Sequence, residues 1–263
     1  MRHLFLRCVL LLAVLLPAVA QAGRSCDAQQ PPRAEAVLRG LQLAERTLAA
    51  LDASGAEVVV LARAGQDLSR HGLRYSHLGF AFRTAEQRWH VLHKLNQCGT
   101  AEGELYEQGL GPFFLDDLWR DEAAWVVPNP DVQARLLALL RDPARATRLH
   151  HRPYSMVSYA WGAQYQQSNQ WAIETLAAAM EPGTIASRTQ AQAWLQSKGY
   201  RPTVLKLGPL TRLGGRMSAA NIAFDDHPNA KRFADQIETV TVDSVFAWMP
   251  RAGLGAAPVV LQP

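Results

Sequence analysis

Helical spacing first appears between about Ala34 and Leu51. Val37, Leu41, Ala44, Leu48 and Leu51 fall on one face there, before Ser54-Gly55 ends the pattern. Strand patterns follow. Glu57 to Ala64 (EVVVLARA) is a β-branched run, and a polar loop over 65–73 leads into Arg74 to Arg83 (RYSHLGFAFR). In that strand Leu78, Phe80 and Phe82 form one apolar face, while His77 shares the other with the small Gly79 and Ala81. A TAEQ turn then returns the chain as RWHVLHKLN, completing a hairpin. A titratable ring beside two nearly absent side chains predicts that something packs closely against it.

Residues 99–130 read as turns and aromatics (GLGPFFLDDLW) followed by the short strand AAWVVP. Asp131 opens an amphipathic helix with Val132, Leu136, Leu139 and Leu140 inward, ending before Pro143. The irregular HHRPYSMVSYAWGAQYQQ delivers the chain to a helix, SNQWAIETLAAAM, closed by Pro182-Gly183. SRTQAQAWLQSKG is a shorter helix with a capping-box pair, Ser187 and Gln190, and a terminal Gly199. The tail reads as strand TVLKLG, a loop around Gly214-Gly215, polar FDDHPNAKRF and a final strand within IETVTVDSVFAWM. No repeat, low-complexity block or linker interrupts this order. It predicts one α+β domain over residues 23–263.

The first 22 residues stand apart. Arg2 and Arg7 precede an apolar run from Cys8 to Leu16, Pro17 breaks it, and Ala20-Gln21-Ala22 supplies a small-x-small cleavage pattern. This is the signature of a secretory signal peptide over 1–22, with an apolar part too short for a stable membrane span. Its removal takes Lys+Arg from 27 to 25 against 23 Asp+Glu, so the mature charge is +2. Basic residues are scattered among acidic ones, without the run or stripe that nucleic-acid binding requires. The expected location is periplasmic or secreted, with no membrane span after cleavage. In an oxidising compartment the remaining pair, Cys26 and Cys98, reads first as a disulfide, with two free thiols or a nucleophilic cysteine as the alternatives.

Motifs exclude more chemistry than they assign. There is no GxxxxGK, no GxGxxG between strand and helix, and no GxSxG, so no nucleotide cofactor or nucleophile elbow is expected. His90 and His93 are three apart and point to opposite faces of one strand. Asp225-Asp226-His227 lacks further ligands at metal-site spacing, so no metal is assigned. What remains is His77 and a hydroxyl, Ser168, at a helix start. Ser168 reads either as a helix N-cap or as a nucleophile beside free N–H groups that would hold an oxyanion.

The order of these parts resembles the NlpC/P60-like papain superfamily in its circularly permuted branch, where the histidine strand precedes the nucleophile helix. YSHLGFAF carries the likeness most specifically. ARAGQDL, with Gly65 and Asp67, is similar to the branch's Gly-Asp turn, and QSNQW to its nucleophile motif. The resemblance spans about Glu57 to Met180 and implies a papain-like antiparallel sheet packed against helices. It puts His77 on the catalytic histidine, Ser168 on the nucleophilic cysteine, and His93, or His90 with a tighter turn, on the third polar residue. Gln167 and Trp171 fall on substrate-binding neighbours of the nucleophile. It implies a hydrolase or acyltransferase for a cell-envelope amide or ester, with peptidoglycan or lipid as ligand. The serine is the departure, since the family uses a thiolate, and it leaves a non-catalytic ligand-binding protein or an envelope interaction protein as the alternative.

Overall fold

Strand β1 (Val58–Ala64) is buried along its whole length, and the other elements are arranged to cover both of its faces. The computed structural model describes residues 33–116 and 118–262. The predicted signal segment and Cys26 therefore lie outside the described residues. Cys98 is disulfide-bonded.

β1 sits inside a six-stranded antiparallel sheet, flanked by β2 (His77–Arg83), β3 (Trp89–Asn96), β4 (Gly103–Gly109), β5 (Arg120–Val126) and β8 (Val259–Leu261), in the order β4-β3-β2-β1-β5-β8. Alternation sends Val59, Leu61, Ala81, Val91 and Trp125 to one face. Helix α1 (Ala34–Ser54) and the short α2 (Leu110–Phe114) cover that face. Val60, Ala62, Leu78, Phe80 and Ala124 point to the other. There α3 (Pro130–Leu140), α5 (Ser168–Met180), α6 (Arg188–Ser197) and α9 (Val242–Arg251) form the larger core. The five-residue α4 (Pro143–Thr147) follows α3. A second, two-stranded sheet, β6 (Thr203–Lys206) with β7 (Gln236–Thr239), is joined by α7 (Pro209–Ser218) and α8 (Asn229–Phe233). Among the described residues no helix is long and apolar enough to cross a membrane.

Four expectations are corrected by the packing. The buried stripe of α1 is Gly40, Leu43, Ala44, Thr47 and Leu51, leaving Leu41 and Leu48 exposed. Gly40 turns that stripe inward, because a Cβ there would meet the Phe114 carbonyl oxygen at 2.7 Å. The turn-rich stretch 99–130 contains a strand, β4, whose polar GELYEQG lies at the sheet edge with only Gly103 buried. Gly214-Gly215 lie inside α7, an exposed amphipathic helix with no buried residue. The final strand stops at Thr239, and a capping box at Thr241 and Ser244 starts α9 from DSVFAWM instead. The box at Ser187 and Gln190 forms as expected.

The close neighbour that Gly79 of β2 admits is a strand. The α5 helix packs on the Leu78 and Phe80 face, with Trp171 edge-on to Phe80 at 5.8 Å between centroids. Gly79 faces β3, where an added Cβ would lie 2.7 Å from the Cβ of His93 and 3.0 Å from the Leu92 carbonyl oxygen. Gly79→Ala should therefore destabilise by about 1–3 kcal/mol, because this clash outweighs the entropy gained in the unfolded chain. Gly183→Ala, with open space around it, should stay within about 0.5 kcal/mol of the parent in the same urea titration.

Candidate active site

Register places the site's charges. Antiparallel pairing sets Arg63 of β1 directly opposite His77 of β2, so the two side chains share a face as close neighbours. The β2–β3 register, Phe80 opposite Leu92, carries His93 past Gly79 to the same face. His77 Nε2 then lies 2.8 Å from His93 Nδ1, and the rings meet edge to face at 5.1 Å. Phe113 of α2 packs against both rings. His90 points away and pairs with Glu107 at 2.7 Å. The third polar residue of the cluster is His93.

Ser168 reaches His77 around the end of the sheet. It is the first residue of α5, and the N-cap is Gln167, whose Oε1 accepts the Asn169 N–H at 2.8 Å. The capping duty expected of Ser168 is thus taken by its neighbour, which leaves the hydroxyl free to stand 3.2 Å from His77 Nδ1. Asn169 fixes the helix start against β2, its Oδ1 accepting the Leu78 N–H at 3.0 Å. Tyr154, buried at 8% exposure, turns its hydroxyl to the side chain and backbone of Ser168. The two neighbours carried over as substrate-binding do other work. Gln167 also donates to the Val240 carbonyl oxygen and so ties the helix start to the chain before α9. Trp171 is fully buried in the core against Phe80.

The electrostatics hold both imidazoles neutral. Burial, then the Arg63 charge and His93, push His77 well below the ordinary histidine value. Burial and Arg63 likewise take His93 down to about 3. Two tautomer sets fit the distances. In the one that a basic His77 Nδ1 requires, Ser168 O–H donates to His77 Nδ1, His77 Nε2–H donates to His93 Nδ1, and the remaining proton sits on His93 Nε2, which has no partner. In the other both ring bonds run the opposite way, from His93 Nδ1–H to His77 Nε2 and from His77 Nδ1–H to Ser168 Oγ. Ser168 also borders two cavities. One, of about 480 Å³, is lined by polar groups including Arg63, Lys94, Asn96 and Asn221. The other, of about 280 Å³, is largely apolar, with Leu73, Val157, Leu205 and Ile222 under α7. Cys98 stands on the wall of the polar cavity.

Sequence reading missed Arg63, Tyr154, Asn169 and Lys94. Two of them left a signal, since Arg63 and Lys94 are charges inside otherwise apolar strand patterns. Lys94 is fully buried on the face opposite His93, its Nζ donating to the His151 carbonyl oxygen at 2.5 Å and to Gln166 Oε1 at 3.0 Å. Gln166 Nε2 in turn donates to Glu174 Oε2 at 2.6 Å, and Arg188 grips both Glu174 oxygens at 2.8 and 3.2 Å. The Asp225-Asp226-His227 run does not converge. His227 pairs with Asp226 at 2.9 Å in a buried couple, while Asp225 accepts from Gln164 and Tyr165.

Together these features define an α+β protein with a buried Ser–His–His relay at the junction of a sheet end and a helix N-terminus. The chain belongs to the family DUF2145, described as an uncharacterized protein conserved in bacteria, which it matches over residues 50–249. No curated protein and no solved structure matches the chain.

The Lys94 network gives stability a measurable pH dependence. Burial, with Arg188 adding to it, lowers the Lys94 ammonium from 10.5 to about 7. A depressed folded pKa means that the unfolded chain takes up the proton first as pH falls. The stabilisation is therefore complete above pH 10.5 and is lost progressively down to about 7. The denaturation midpoint should rise from pH 7 to pH 10, by a few kcal/mol in free energy from this group. Lys94→Met should remove that component of the slope.

Proposed function

We propose that the mature protein works outside the cytoplasm as a serine variant of a papain-like acyl-transfer site, acting on an amide or ester of the cell envelope. One observation carries this reading, the hydrogen-bonded chain from Ser168 Oγ through His77 to His93 at 3.2 and 2.8 Å. The permuted NlpC/P60-like relationship belongs to the same proposal. It is supported by the SHLGFAF hairpin, the return-strand His93 and the order of hairpin before nucleophile helix.

In this mechanism Ser168 Oγ attacks the carbonyl carbon while His77 Nδ1 takes its proton. The Tyr154 hydroxyl and the N–H groups of the α5 start other than that of Asn169, which Gln167 already caps, would hold the developing oxyanion. His77 returns the proton to the leaving group, and water or a second acceptor releases the acyl group from Ser168. His93 holds the His77 ring in the productive tautomer, the task a carboxylate performs in a Ser–His–Asp triad. A second reading, binding without turnover, is favoured by Arg63. A guanidinium opposite His77 raises the cost of the imidazolium that base catalysis must form, and a neutral His93 offsets none of it.

A fluorophosphonate probe separates the two. Acyl transfer requires labelling at Ser168, lost in Ser168→Ala and slowed about 10²-fold or more in His77→Asn. Because His77 sits below the ordinary value, the labelling rate should stay level between about pH 8 and about pH 6.5 rather than fall as for an unperturbed histidine. An unlabelled wild type that still binds ligand would leave the binding reading standing. The extracytoplasmic assignment has its own check: intact-mass analysis from a native host should give a chain beginning at Gly23.

A further inference from the structure

The polar cavity beside Ser168 contains a buried cation whose counter-ion stands half in water. Arg63 is 3% exposed, lies over the Phe113 ring at 4.7 Å and donates to the Phe113 carbonyl oxygen. Its guanidinium also pairs with Asp116, on the loop after α2, but the Asp116 side chain is 52% exposed. Arg63 Nε, fully shielded, has no partner. Both residues line the cavity, and among its described lining residues Asp116 is the one acid.

Leaving a buried guanidinium without an anion is strongly unfavourable, so whatever displaces Asp116 must carry a like charge. The seat already fits a carboxylate, which matches the planar fork of the guanidinium. The exposed loop residue is the easier partner to move. The same cavity reaches His77 and Ser168.

We propose that this cavity binds an organic carboxylate whose carboxyl group takes the seat of Asp116 on Arg63. The ligand is then an amide or ester bearing a free carboxylate close to its carbonyl, such as a peptide terminus or an acidic side chain. The placement of the carbonyl rests on the acyl-transfer reading. Recognition of the carboxylate does not, because it requires Arg63 and not Ser168 chemistry.

Two probes with the same acyl chain and amide carbonyl isolate the charge, N-octanoylglycine and N-octanoylglycinamide. Calorimetry on the wild type should show the acid binding about tenfold or more tightly than the amide. Asp116→Asn removes the internal competitor, and should tighten the acid several-fold while leaving the amide unchanged. Arg63→Lys keeps the charge without the fork, and should bring the two probes to similar affinity. If that variant does not fold, Asp116→Asn decides alone, since its side chain is largely solvated. Equal affinities on the wild type, no acid binding at millimolar concentration, or an Asp116→Asn protein that fails to gain affinity would each overturn the proposal. Ser168→Ala should keep the acid preference. A preference that survives without Ser168 labelling defeats the acyl-transfer reading alone, and labelling without the preference defeats this inference alone.

Discussion

The pairing of β1 with β2 is the constraint on which the site depends. Strand side chains alternate, so a slip of one residue would send Arg63 into the α5 core and remove it from His77. That slip is blocked because both faces of β1 are buried and each alternate residue has a fitted partner. The β2–β3 approach adds a second lock. Gly79 lets the His93 backbone come close enough for the imidazoles to meet. The two imidazoles and Arg63 are therefore held by sheet geometry, and helix α5 brings the Ser168 hydroxyl to them.

This explains how much was legible in advance. His77 and Ser168 stood out because one breaks a local pattern and the other begins one, His93 was named, with His90 as the alternative, by the family resemblance, and the structure brings these three together. Arg63 was harder, because its meaning lies in the residue opposite, and cross-strand register is not written in a single strand's alternation. The same holds for Asn169, whose partner is a backbone N–H ninety-one positions away. Trp171 and Gln167 matched a motif by position, yet one fills the core and the other caps a helix. Position along a helix start does not decide which way a side chain leaves it. β4 was invisible for another reason. An edge strand has one neighbour, and its GELYEQG needs little apolar surface.

The relay also differs in charge from a Ser–His–Asp triad. There a buried carboxylate favours the imidazolium; here the orienting partner is a neutral imidazole and a guanidinium stands opposite. The same geometry with the opposite surrounding charge makes the hydroxyl less readily deprotonated, and makes the cavity attractive to anions. These are one electrostatic fact seen from two sides. Lys94, on the reverse face of β3, meets the same cost of buried positive charge, and burial with the nearby Arg188 pushes its ammonium down to about 7.

The bond at Cys98 couples this cavity to the redox conditions of folding. Cys98 follows β3 by two residues and stands on the cavity wall, so the covalent frame of that wall is completed only when the thiol has been oxidised. A chain maturing among reduced glutathione keeps Cys98 as a thiol, and one maturing in an oxidising compartment closes the bond. The cavity wall is thus finished by the compartment as well as by the sequence. Material prepared in a reducing host is, at this wall, a different molecule from the oxidised one.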